Sequence, residues 1–350
     1  MLPDFCGRPG DGQQFVAVKL SWPAALAPLP GGRIFCEDAR MEKKILVAVD
    51  GSFRSLNEVH YLGQMFEGAR DIFLQLVCIV PVGKLPAGSD WLEGGETEAS
   101  MSPGVKKEFA GAKEHLKRAT HHLERHGFAK EQLTASVELS RMGVAADLIK
   151  LARSGYYDAL LVGRRGIGRL QALLMGSVTR EVLEKCWDIP IWVVDGHVDS
   201  RKILVPVDGS IHTLRAVDHL GHVFKDIPGV EITLFHSSAL FASKAERQFG
   251  RCEQTFGTDW CHDHLRREDY LFHPAEQLLR ESGFDMTHVH RLEEGRGLDP
   301  ARDIALQAWH KNFGTIVMGR RDAAERKGVL GGVSDRLLAH TNDLAVWLIN

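Results

Sequence analysis

At 350 residues, with 44% hydrophobic and 25% charged, the chain exceeds one ordinary domain of about 150 residues, which excludes a single small module and a wholly disordered polymer. A formal net charge of -3 offers no global field for nucleic acid or an anionic membrane surface. No apolar run approaches the roughly 20 residues of a membrane span, so neither nucleic acid nor membrane is an expected partner.

Six cysteines, Cys6, Cys36, Cys78, Cys186, Cys252 and Cys261, form no dense framework and no C-x-x-C pair. They read as reduced thiols in a cytoplasmic protein. Residues 1–40 hold five prolines and five glycines and read as a disordered extension or a mis-assigned start. No export signal precedes the first periodic segment, which begins at Met41.

From there the elements follow in order. Ile45 to Val49 reads as a buried strand, and Asp50-Gly51-Ser52 as a turn that delivers Ser52 to a helix N-cap. Ile72 to Val80 is a second strand, stopped by Pro81, and a loop with Gly88, Gly94 and Gly95 follows. Ser102-Pro103 opens a helix whose stripe of Phe109, Ala112, Leu116, Ala119 and Leu123 runs to Gly127. Val137 to Leu139 predicts a short strand, Ala145 to Ala152 a helix, Ala159 to Val162 a strand, Ser177 to Cys186 a helix and Ile191 to Val194 a last strand. This βαβαβαβαβ order implies a mostly parallel sheet with helices on both faces.

The opening then repeats. Lys44-Ile45-Leu46-Val47-Ala48-Val49-Asp50-Gly51-Ser52 returns as Lys202-Ile203-Leu204-Val205-Pro206-Val207-Asp208-Gly209-Ser210. Leu161-Val162-Gly163-Arg164-Arg165 returns as Val317-Met318-Gly319-Arg320-Arg321, with the offset drifting only from 158 to 156 residues. Two copies of one domain follow each other, with a boundary at about Asp199: residues 41–198 and 199–350.

Ligands of such sheets sit beyond the strand C-termini. In copy one Gly163-Arg164-Arg165-Gly166 leaves a strand and Gly176-Ser177-Val178-Thr179 opens the next helix, a G-x2-G-x9-G-S spacing. Glycines permit close backbone approach, and a helix N-terminus aims N–H groups at an anion. The hydroxyls of Ser177 and Thr179 and the charge of Arg165 suit phosphate, whereas Arg164, Arg165 and Arg169 equally suit a solvated basic patch. A carboxylate at Asp50 suits ribose hydroxyls or an adenine amine, or else a simple turn.

These residues resemble the universal stress protein family in its tandem form, from Met41 to Asn350. The resemblance implies two five-stranded, doubly wound α/β domains (Rossmann-like) that pack as an intramolecular pseudo-dimer. It also implies ATP, with or without Mg2+, as ligand. By the same resemblance Ala48 and Asp50 line the adenine and ribose pocket, Ile79 meets adenine through its backbone, and Val162 and Gly163 flank the sugar. Arg165, Gly166, Gly176, Ser177, Val178 and Thr179 then surround the phosphates. Family members pair their last strands across the dimer, which here means Ile191 to Val194 with Ala345 to Ile349. A further homodimer and unidentified protein partners are compatible with this reading.

Copy two departs from the pattern, with Asp322 for Gly166 and Val333 for Ser177, so it is expected to bind ATP poorly unless Ser334 replaces Ser177. His219-Leu220-Gly221-His222 matches an H-x-G-H transferase string but falls late in a helix, away from phosphates. Cys252, Cys261, His262, His264 and His273 match no compact metal spacing. No general base or metal-binding carboxylate pair stands near the glycine loop, so a stress-response protein that binds nucleotide is favoured over an interaction module or a slow ATPase or autokinase.

Overall fold

The computed structural model describes residues 42–52, 55–81, 101–164, 175–238, 249–293, 297–321 and 332–350. Residues 1–40, the loop with Gly88, Gly94 and Gly95, and Arg165, Gly166, Arg169 and Asp322 lie outside these. Copy one runs β1 (Lys43–Ala48), α1 (Leu56–Met65), β2 (Ile72–Val80), α2 (Pro103–Arg125) and β3 (Leu133–Leu139). It continues through α3 (Val144–Ser154), β4 (Ala159–Gly163), α4 (Ser177–Lys185) and β5 (Ile191–Asp195). Copy two has β6 (Lys202–Pro206), α5 (Ile211–Phe224) and β7 (Glu231–Phe235), then short helices α6 (Phe249–Phe256), α7 (Thr258–Leu265) and α8 (His273–Glu281). It ends with β8 (Val289–Leu292), α9 (Pro300–His310), β9 (Thr315–Gly319), α10 (Val333–His340) and β10 (Leu344–Ile349).

The strands form one ten-stranded sheet in the order β3-β2-β1-β4-β5-β10-β9-β6-β7-β8. Each half is parallel, and the halves join through the antiparallel pair β5–β10, with Trp192 opposite Trp347. The pseudo-dimer implied by the repeat is therefore one continuous sheet. Successive residues point to opposite faces: Ile45 and Val47 enter one apolar cluster and Leu46 the other. Burial on both faces explains the unbroken apolar runs of these strands.

Side chains cross between the halves in reciprocal pairs. Trp192 stacks on Trp347 at 3.6 Å between ring centroids, and Phe66 on Phe224 at 5.5 Å. Trp347 Nε1 donates to the Tyr61 hydroxyl at 2.9 Å, and that hydroxyl lies 3.0 Å from Thr315 Oγ1. At the first strand of each copy a cation reaches the last turn of the other copy's first helix. Lys43 Nζ donates to the Val223 carbonyl at 3.2 Å, and Arg201 Nη2 to the Met65 carbonyl at 3.3 Å. The last carbonyls of a helix lack intrahelical partners and carry its negative end, so a cation is stabilised there.

The first arginine of each Gly-Arg-Arg repeats this arrangement, which corrects the reading of Arg164 as part of a solvated basic patch. Arg164 is 2% exposed; it pairs with Asp195 Oδ2 at 2.9 Å and donates to the Thr341 carbonyl at the end of α10. Arg320 donates to the Cys186 carbonyl at 3.2 Å and to the Leu183 carbonyl at the end of α4. Its guanidinium also lies 3.5 Å from the centroid of the Trp187 ring.

Three further expectations are altered. Helix α1 begins at Leu56 rather than after Ser52, because the Ser52 carbonyl accepts from both Ser55 N and Ser55 Oγ and adds a turn. In copy two Ser210 does cap its helix, accepting from Thr213 N at 3.3 Å. Cys252 and Cys261 are joined in a disulfide rather than reduced. The physical reason is the helical hairpin of α6 and α7, turned at Gly257 with φ +91°, which brings their Cα atoms to 6.0 Å, within bridging range. Cys78 and Cys186 are buried and free.

Candidate functional site

Strand order reverses between β1 and β4, whose neighbours β2 and β5 lead away in opposite directions. In sheets of this kind the switch point, at the strand C-termini, is where ligands sit. Ala48 is half-buried at the end of β1, while Ile79 and Val162 are buried in β2 and β4. Gly163 ends β4 half-buried, and these residues stand at or next to the C-terminal ends of three adjacent strands. Gly176 is the N-cap of α4 and has no side chain to cap it; Ser177 is exposed and Val178 half-buried. The Gly176 N–H donates to the Arg164 carbonyl at 2.8 Å, which closes the base of the glycine loop. Thr179 is 4% exposed, and its hydroxyl donates to the Gly163 carbonyl at 2.6 Å. That bond fixes the helix against the strand end and uses the hydroxyl's only proton.

Asp50 Oδ1 accepts from Ser52 N at 2.9 Å, the local turn expected of this residue type. Its Oδ2 and the Ser52 hydroxyl are buried without a hydrogen-bond partner among the described residues. Buried polar atoms ordinarily find partners, so these two stand out. Next to them lies Glu58 of α1, which is 4% exposed with an unpartnered Oε2 and was not singled out in the sequence. Burial drives its carboxyl well above the ordinary range, and the charges of Asp50 and Asp195 push the same way. The repeat places Ala216 at this position in copy two. Burial, aided by Asp50, also lifts the Cys78 thiol to about 11, which keeps it protonated and unreactive.

The folded protein binds the Glu58 proton more tightly than the unfolded chain, whose carboxyl titrates near about 4.3. Stability is thus fully present below that value and falls as pH rises through the raised one. Glu58→Gln should raise the urea midpoint more at pH 8 than at pH 5. An equal change at both pH values would contradict a proton held there.

At the corresponding strand end of copy two the carboxylate finds its partners within the protein. Asp208 Oδ1 accepts from Ser210 N at 3.0 Å and from Thr213 Oγ1 at 2.8 Å, and Oδ2 lies 4.0 Å from Arg321 Nη2. Asp335, which stands where copy one has Thr179, accepts from Gly332 N at 3.1 Å and brings a carboxylate to the first turn of α10. The H-x-G-H string lies in the last turns of α5, as expected. His219 sits 6.0 Å from both Trp192 and Trp347, and burial holds its imidazole down to about 3. His222 Nε2 faces Asp158 of copy one at 3.6 Å. Beside the disulfide, His262 pairs with Glu253 at 3.1 Å and His264 with His273 at 2.8 Å.

The fold is that of a tandem, doubly wound α/β protein. The chain belongs to the universal stress protein family, whose model matches residues 41–195 and 200–345. No curated protein matches the chain. A universal stress protein from Archaeoglobus fulgidus DSM 4304 is similar in structure, with a TM-score of 0.55 at 19% identity over 89% of this chain and 97% of that one. Protein PA1789 from Pseudomonas aeruginosa PAO1 aligns with a TM-score of 0.48 at 13% identity, over 89% and 93% of the two chains. A universal stress protein solved in complex with cAMP aligns with a TM-score of 0.33 at 19% identity, over 43% of this chain and 96% of its own. At 19% identity the likeness to the Archaeoglobus protein is one of fold alone. No helix among the described residues is long and apolar enough to cross a membrane.

Proposed function

We propose that copy one, residues 41–198, binds one adenine nucleotide, ATP, and that copy two, residues 199–350, binds none. The observation that carries this reading is the contrast at the two strand ends. Asp50 keeps a buried carboxylate oxygen with no hydrogen-bond partner among the described residues, whereas Asp208 is satisfied within the protein, and α10 carries a carboxylate, Asp335, in its first turn where α4 carries none. In this reading Asp50 accepts from ribose hydroxyls or the adenine amine, and Ala48, Ile79 and Val162 supply apolar walls. Gly163 allows the sugar to approach, and the N–H groups of Ser177, Val178 and Thr179 meet the phosphates with Arg165 and Gly166 of the loop. Any accompanying Mg2+ would neutralise phosphate charge. In this reading the bound nucleotide acts as a signal within a stress response.

Calorimetric titration of the full chain with ATP should give about one site, and Gly176→Asp should abolish it. Aspartate is a good N-cap, so the helix persists while its carboxylate takes the N–H groups the phosphates need. Absence of saturable binding to the unmutated protein would instead favour a module that acts through protein contacts alone.

A further inference from the structure

Four histidines and an aspartate converge where α1, the end of α2 and the segment between β5 and β6 meet. His60 Nε2 lies 2.7 Å from Asp199 Oδ1, and His197 Nε2 lies 3.1 Å from the same oxygen. The His60 ring stacks on His197 at 4.0 Å and stands 6.2 and 6.0 Å from His122 and His126. His122 and His126 are themselves 4.8 Å apart, one helical turn from each other on one face. The ligand atoms of His60, His122 and His126 lie within 4.8 Å of one another, as do those of His60, His197 and Asp199.

Two observations separate this cluster from a chance gathering of polar residues. His122 Nε2 is buried and has no hydrogen-bond partner among the described residues. Copy two, which needs the same helix packing, has Asp218, Leu278 and Ser282 where copy one has His60, His122 and His126. The fold therefore does not require imidazoles here. Gly63 makes the room they occupy: a Cβ on it would fall 2.7 Å from His126 Cγ.

We propose that His60, His122 and His126 bind one borderline divalent cation of the Zn2+ type. A tetrahedral ion with bonds of about 2.0–2.1 Å wants donors about 3.3 Å apart, which shifts of about 1 Å in these half-buried side chains supply. Three imidazoles suit Zn2+, Co2+ or Ni2+ and disfavour the all-oxygen ions Mg2+ and Ca2+. The exposed Asp199 carboxylate bonds the His60 ring and His197 stacks on it, so the segment between β5 and β6 orients that ring for ligation. Bound metal would tie α1 to the end of α2.

The test is calorimetric titration of the untagged full-length protein with Zn2+, with Co2+ absorption as a reporter of tetrahedral ligation. One saturable site is expected, with the visible bands of tetrahedral Co2+. His122→Asn and His126→Asn should each weaken it about 100-fold or more, since loss of an outer-shell partner alone costs about 10–100-fold. Gly63→Ala should weaken it by displacing His126, and the exposed His288→Asn should leave it unchanged. Circular dichroism of the variants separates ligand loss from misfolding. No saturable site, or an affinity unmoved by His122→Asn and His126→Asn, would overturn the proposal.

Discussion

Trp347→Ala is expected to destabilise the protein by about 3–5 kcal/mol, the range for removing a buried tryptophan from a core that cannot collapse. Trp347 is fully buried at the seam, stacked on Trp192 at 3.6 Å and on Phe224 at 5.4 Å. Truncation opens a cavity where rings from both halves stack. It also deprives the buried Tyr61 hydroxyl of the indole donor, leaving it Thr315. Equilibrium urea unfolding at unchanged m-value measures the effect. A loss under about 1 kcal/mol would show that the column does not hold the halves together. Because its rings come from both copies, the unmutated protein should lose both halves in a single transition.

The second large effect concerns a charge. Lys43 is 1% exposed and Asp71 5%, with Nζ and Oδ2 2.6 Å apart. Asp71→Ala strands a buried ammonium and is expected to cost about 3–5 kcal/mol. Adding Lys43→Met removes the stranded charge and should recover most of the loss, because an apolar pair of similar volume often replaces a buried ion pair without penalty. A double variant as unstable as the single one would place the cost in packing, or in the lost bond to the Val223 carbonyl, rather than in desolvation. The four variants of this cycle, compared by denaturant midpoint, decide between these.

Much of this architecture is legible before any coordinates, because it rests on period and repetition. The apolar run from Ile72 to Val80 gives its strand with both ends correct, and Ser102-Pro103 marks the start of α2. The repeated Lys-Ile-Leu-Val opening announces the second copy, and the family resemblance implies the pairing of the last strands that the structure has. What stays hidden is the direction of individual polar side chains. Arg164 and Arg165 are neighbours of one type, and only the fold shows that Arg164 turns inward to the end of a helix on the other copy. Glu58 looks like any helix-surface carboxylate, and only the fold buries it with Val59, Tyr61 and Leu62. The histidine cluster draws on residues from three separate elements, and only the His-x3-His spacing of 122 and 126 signals it locally. The disulfide escapes because nine residues of helical hairpin, not a short motif, set its span.

Within each half all strands run the same way, and the seam between β5 and β10 is antiparallel. The strand ends of copy one and copy two therefore open on opposite rims of a single sheet. Two ligands or partners seated on those rims never compete for space, so any influence of one on the other must be transmitted as energy through the shared strands and the clasps across the seam. The molecule is in that sense a two-ended connector of fixed span, with a different chemistry at each end.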